Sequence, residues 1–161
     1  MTVHHDYAVT LTWSDETGTD GFSAFTRDHE IRGADKDTAL AASAPQWLRG
    51  DRARWNSGDM FLAALASSHM LRFLEIASQV GLVVVAYEDD VHGLAQLGSR
   101  GDGHIADIVL RPRITVRPGV HANEAEIARI HERAESMSVV SSSVAVSIRV
   151  EPGALTVVDA A

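Results

Sequence analysis

Residues 56–71 read NSGDMFLAALASSHML, and this stretch decides the fold. Asn56 can cap a helix, and Asp59 three residues on supplies the acidic half of a capping box near the positive end of the helix dipole. Apolar residues then continue through Met60, Phe61, Leu62, Leu65, Met70, Leu71, Phe73, Leu74, Ile76 and Val80, up to a stop at Gly81. They occupy most of the circumference, so the helix is expected to be buried on several sides. At ~1.5 Å per residue, ~24 residues would run about 36 Å, enough to cross a small domain and reach a partner subunit.

Outward from this helix the chain reads as strands, turns and one more helix. Tyr7, Val9, Leu11 and Trp13 alternate with Ala8, Thr10 and Thr12, the period of a half-buried strand. Short strands are expected at Phe22–Thr26 and His29–Arg32, followed by a long irregular connection from Ala34 to Trp55. Beyond Gly81, a β-branched run from Leu82 to Tyr87 should continue past Asp90 toward Leu97. Another strand is expected from Ile105 to Val116, where Pro112 suggests an edge or a bulge. Asn123 and Glu126 cap a second helix with Ile127, Ile130 and Ala134 at helical spacing, and Val144, Val146, Ile148 and Val150 alternate as a closing strand. The resulting order is β-β-β-α-β-β-α-β, an α+β chain expected to form one domain over residues 1–161.

Composition narrows the function classes. With 161 residues, 45% of them hydrophobic, the chain can bury a sizeable core. A net charge of −8 disfavours nucleic acid and anionic membrane as partners. Lys36 is the only lysine among the fourteen basic residues, and the arginines are spread from Arg27 to Arg149. MTVHHDYAV lacks the basic start and apolar core of a signal peptide, so the cytoplasm is the default expectation. The apolar segment from Met60 to Val80 is interrupted by Ser67, Ser68, His69, Arg72 and Glu75, which argues against a spanning helix. There is no cysteine, so disulfides and thiolate metal sites are excluded. The eight histidines show no i,i+4 pair and no H-E-x-x-H, and neither a metal nor a cofactor is expected. His131, seven residues before Ser138, is expected to be half-buried and bonded to a backbone group.

The stretch LAALASSHML resembles the central helix of the OsmC/Ohr family, which usually reads close to NPEELLLAALASCHML. Two further segments are similar to family phrases: VLRPRITV at 109–116, and AESMSVVSSS at 134–143, which echoes A-x-x-x-C-P-x-S-x-S. The resemblance runs from about Tyr7 to Val150. It implies an intertwined homodimer with a long buried central helix and two thiol-peroxidase sites at the subunit interface. The family's peroxidatic cysteine falls on Ser68 and its resolving cysteine on Ser138. The family chemistry needs a thiolate that can become a sulfenic acid and then a disulfide, and a hydroxyl can do neither. Ser57 and Gly58 also stand where the family commonly has Pro and Glu, leaving Asp59 as a candidate site carboxylate or a plain cap.

Three functional readings follow. In the first the chain keeps the fold and an interfacial pocket for a small apolar or hydroperoxide-like ligand. Its walls would be Phe61, Leu65, Leu71, Trp47 and Trp55, its polar points Ser68 and Ser138, and its anion partner Arg72. In the second the natural protein is an organic hydroperoxide reductase with cysteines at 68 and 138. In the third it is a structural dimer without a pocket. A serine hydrolase is disfavoured, because His69 beside Ser68 points about 100° away on a helix and no G-x-S-x-G elbow exists. Ser68 could otherwise bond back to the carbonyl of Ala64.

Overall fold

A computed structural model describes residues 4–158. The first three residues of the stretch read for a leader therefore lie outside the described residues, as do the last three of the chain. The chain folds as two compact units, residues 1–60 and 61–161.

In the first unit β1 (Val9–Thr12), β2 (His29–Gly33) and β3 (Leu40–Ala42) form an antiparallel sheet in that order. The strand expected at Phe22–Thr26 is absent: Gly18 and Gly21 adopt positive φ, and the segment folds as turns. Asp15 ties these turns together, accepting from the Thr17 N–H and hydroxyl and from the Thr26 N–H. β3 lies inside the segment read as irregular, where Ala42 also bridges to Trp55.

α1 spans Ser57–Val80, beginning with the last residues of the first unit and continuing through the second. Asn56 Oδ1 accepts from the N–H groups of Gly58 and Asp59, while Asp59 Oδ2 accepts from the Asn56 N–H and side-chain amide. Gly81 ends the helix at φ +80°. Its N–H donates to Ser78 and that of Leu82 to Ala77, the paired bonds of a Schellman motif. The helix is long and apolar enough, by length and composition, to cross a membrane. Here Leu65, His69, Phe73, Ile76 and Ala77 form a single face packed into the core of the second unit. The expectation of burial on several sides is thus not met within one chain: Ala63, Ser67, Leu71, Glu75 and Ser78 lie exposed on the opposite face.

The rest of the second unit is two mixed three-stranded sheets and α2 (Glu124–Met137). The long strands expected at 82–97 and 105–116 are each broken in two. β4 (Val84–Asp89) pairs with β7 (Pro112–Val116), and β5 (His92–Leu97) pairs with β6 (Gly103–Leu110), in different sheets. The breaks lie opposite one another because Arg111 N–H leaves the ladder for Asp89 Oδ1, at 2.7 Å, and Pro112 has no N–H to give. Pro112 consequently opens the central strand of its sheet, as a first-position proline can, and marks neither an edge nor a bulge.

The closing strand is shorter than expected. Val144 ends a 3-10 turn at Ser141–Ser143, and β8 is Ser147–Val150, parallel to β6. A further short strand, β9 (Thr156–Val157), runs parallel to β7. The α+β class stands, with parallel pairs added to sheets expected to be antiparallel. Two apolar clusters fill the unit. Phe73, Ile76 and Ala77 meet Ile114, Val116, Ile127, Ile130 and Ala134, while Leu65 packs against Ile108 and Leu110.

Candidate functional site

The packing of α1 on α2 sets out a line of polar side chains inside the second unit. Ser68 follows the exposed edge of the buried stripe on α1, and Ser138 is the residue at which α2 ends, its N–H bonded to the Glu135 carbonyl. Their Oγ atoms lie 2.9 Å apart, 70 residues distant in sequence. Ser138 is fully buried and its Oγ also accepts the Ser141 N–H. Ser68 therefore bonds across to Ser138 and not back to Ala64. The loop after α2 is held to the same point, since the Ser142 N–H donates to the Ser138 carbonyl.

One residue along, His69 makes a second cross-link. Its ring is buried, with Nδ1 3.2 Å from Glu135 Oε2 and Nε2 2.9 Å from His131 Nδ1. The rings of His69 and His131 are nearly parallel, and Phe73 covers His131 with centroids 4.4 Å apart. The hydrogen bond from His69 holds the Glu135 carboxyl below the usual carboxylate range. Burial, reinforced by the neighbouring His69, pushes His131 down to about 3. His131 thus pairs with another imidazole, where a backbone partner was expected. On β4, burial pushes the Tyr87 hydroxyl up, with the Asp89 charge adding to it, and burial also raises Asp89.

The remaining residues named from sequence are placed as follows. Leu65 is buried against Ile108 and Leu110, with Phe61 packed beside it. Leu71 is 58% exposed, and Arg72 Nη1 donates to Glu75 at 2.6 Å. Trp47 and Trp55 are exposed residues of the first unit. Asp59 is engaged in the cap of α1. Among the described residues no group of three His, Asp or Glu side chains could hold a metal ion. Glu135 and the pairing of His69 with His131 were not singled out from sequence. The i, i+4 spacing of His131 and Glu135 on α2 is a signal that could have found that pair, but nothing local ties either to His69.

The Ser68–Ser138 contact offers two hydroxyls and no group that can be oxidised reversibly. A model of the OsmC-like protein family matches residues 50–152. Compared by sequence with curated proteins, the chain has no match. Among solved structures, an OsmC-like protein of unknown function from Vibrio cholerae O1 biovar eltor is similar over 93% of this chain and 100% of that one, with TM-score 0.83 and 23% identity. An organic hydroperoxide resistance protein OsmC from Legionella pneumophila aligns over 97% of this chain and 98% of its own, with TM-score 0.66 and 15% identity. OhrB, the organic hydroperoxide resistance protein of Bacillus subtilis, gives TM-score 0.64 at 14% identity over 92% and 98% of the two chains. At these identities the structures speak to fold, and with the family model covering well over half of the sequence, the chain belongs to the OsmC-like protein family.

Proposed function

We propose that this protein is a homodimeric, cytoplasmic OsmC-like protein that has lost thiol-peroxidase chemistry and binds a small apolar or hydroperoxide-like ligand at its subunit interface. The observation that carries the reading is the 2.9 Å contact between Ser68 Oγ and Ser138 Oγ in a chain with no cysteine. Where the family would hold a pair of thiols, this chain holds a pair of hydroxyls. The exposed face of α1 around Leu71 supplies the interface, and Ser68, at its border, the polar point toward the ligand. No cofactor takes part, and neither nucleic acid nor membrane is a partner of a chain carrying charge −8.

The chain as it stands should not consume cumene hydroperoxide with a dithiol reductant, because no residue can cycle through a sulfenate. Turnover above a heat-treated control would overturn this. Native mass spectrometry of freshly purified protein tests the rest, with a dimer carrying an added small mass as the expected result. The proximity of the two serines also supports the second reading, an organic hydroperoxide reductase whose cysteines have been replaced. Codons for cysteine at 68 and 138 in the natural gene would decide for it.

A further inference from the structure

Among the described residues β8 is paired with β6 alone, so one of its edges is free. The N–H of Glu151, just past the strand, donates to the Leu110 carbonyl on β6. Backbone groups alternate sides along a strand, so those of Arg149 also face β6, and those of Ile148 and Val150 face the free edge. Pro152 is the next residue in that outward row and has no N–H, so the row of donors stops at Val150. An unpaired row of this kind is a template for another strand.

α2 walls this edge. Two hollows of about 370 and 290 Å³ meet at Ala128 and Pro152, making one groove between α2 and the segment from β8 to Leu155. Its floor is apolar, running from Ile148 and Val150 to Leu155, while Arg149 points to the other face of the sheet and pairs there with Asp107. At ~100° per residue, Glu124, Ala128, Glu132 and Glu135 fall in one sector of α2, and Arg129 and Arg133 fall outside it. The helix wall of the groove therefore carries three carboxylates and no guanidinium. Glu135 is engaged with His69, whereas Glu124 and Glu132 are exposed. Arg113 runs beside Gly153 on the opposite wall, with its guanidinium bonded to both Glu88 and Asp90.

We propose that the free edge of β8 takes up an extended peptide segment of another protein as an added strand, one bearing an apolar side chain and, two residues along, an Arg or Lys. Alternate side chains of a strand share a face, so both would enter the groove together. The apolar one seats on Ile148 and Val150, and the cation reaches the carboxylates of α2. Main-chain bonds to Ile148 and Val150 hold the segment, and the groove selects its side chains. The same carboxylates repel an acidic segment. The proposal does not rest on the function proposed for the Ser68–Ser138 contact.

The probe is the terminally blocked peptide Thr-Val-Thr-Arg-Thr, titrated into the intact protein at low salt. On saturation it should slow amide hydrogen exchange at Ile148 and Val150. It should bind about threefold more tightly than its Gln analogue and about tenfold more tightly than its Glu analogue, since an exposed ion pair contributes about the first factor and a like charge removes as much again. In the double variant Glu124→Gln with Glu132→Gln, the three affinities should differ by less than about twofold. Methylating one alternate set of the peptide's backbone nitrogens should abolish binding and methylating the other should not, because only one set can face β8. Equal affinity for the Arg and Glu peptides would overturn the proposal, as would tolerance of both methylated sets or no saturable binding at millimolar peptide. Concentration-dependent protection of the Ile148 and Val150 amides without peptide would also overturn it, by showing that a second copy of this chain covers the edge.

Discussion

His131 and Glu135 make acid sensitivity a property of two residues. The folded protein binds a proton at His131 only near pH 3, whereas the unfolded chain binds it near 6.5. Between these values the unfolded state holds more protons, so stability is complete above about 6.5 and falls as pH drops toward 3. Glu135 acts in the same direction: its lowered pKa contributes stability above the ordinary carboxylate range that is lost on further acidification. We expect the denaturation midpoint to decline from pH 6.5 downward, and a folded His131→Phe protein to lose most of that slope between 6.5 and 4.5. An unchanged slope would show that His131 is not the group responsible. At the other pair, replacing both Ser68 and Ser138 with cysteine should give a disulfide on mild oxidation, seen as a loss of free thiols and of two hydrogens by mass. Hydroxyls at 2.9 Å leave little movement to a bonded sulfur pair, and a buried thiol is tolerated as a small hydrophobe. A folded double variant with two free thiols would refute the placement. Ser68 and Ser138 were legible in the sequence through the two motifs around them. The link from His69 to His131 was not, because its 62-residue separation carries no local signal and only helix packing closes it.

At the scale of elements, legibility followed the strength of local chemistry. Both helices were readable because their ends are written in side chains: Asn56 with Asp59, Gly81, and Asn123 accepting the Glu126 N–H. Gly81 gives a direct test. At φ +80° an L side chain costs about 1–2 kcal/mol, while a Cβ there would meet nothing within 4 Å. Gly81→Ala should therefore destabilise by about 1 kcal/mol through the backbone alone, and Gly81→Asn by less, as measured by chemical denaturation. Equal stability of Ala and Gly would show that the Schellman geometry is dispensable. Strand limits were less readable, because alternation persists across a bend. Leu82–Leu97 is apolar on both sides of the acids Glu88, Asp89 and Asp90, and the Asp89 side chain bonding Arg111, beside a proline with no donor, shows where one sheet gives way to the other. Phe22–Thr26 failed for a related reason. Its apolar residues imitate a strand, but Gly21 and the Asp15 carboxylate organise it as turns.

At the scale of the whole molecule, several large apolar side chains stand exposed in both units. Tyr7 is 88% exposed just before β1, Val9 66% and Leu11 62% along it, and Leu71 is 58% exposed on a helix whose opposite face is buried in the core. Surfaces of this kind mark association sites, and a second copy of the same chain is the simplest partner. A dimer should bury about 1,200–2,000 Å², a size that stable association typically requires. Sedimentation equilibrium at micromolar concentration should accordingly give about twice the 17.3 kDa chain mass. Leu71→Glu tests the role of the helix face itself. If α1 lies in the interface, the carboxylate must be desolvated there at a cost of several kcal/mol, and the variant should dissociate while retaining its helix content. If α1 faces water, the same substitution changes neither mass nor stability appreciably, because an exposed helix position accepts Glu readily. A folded monomer for the unmodified chain would remove the interface from the proposed function and leave the Ser68–Ser138 contact as a feature of the single subunit.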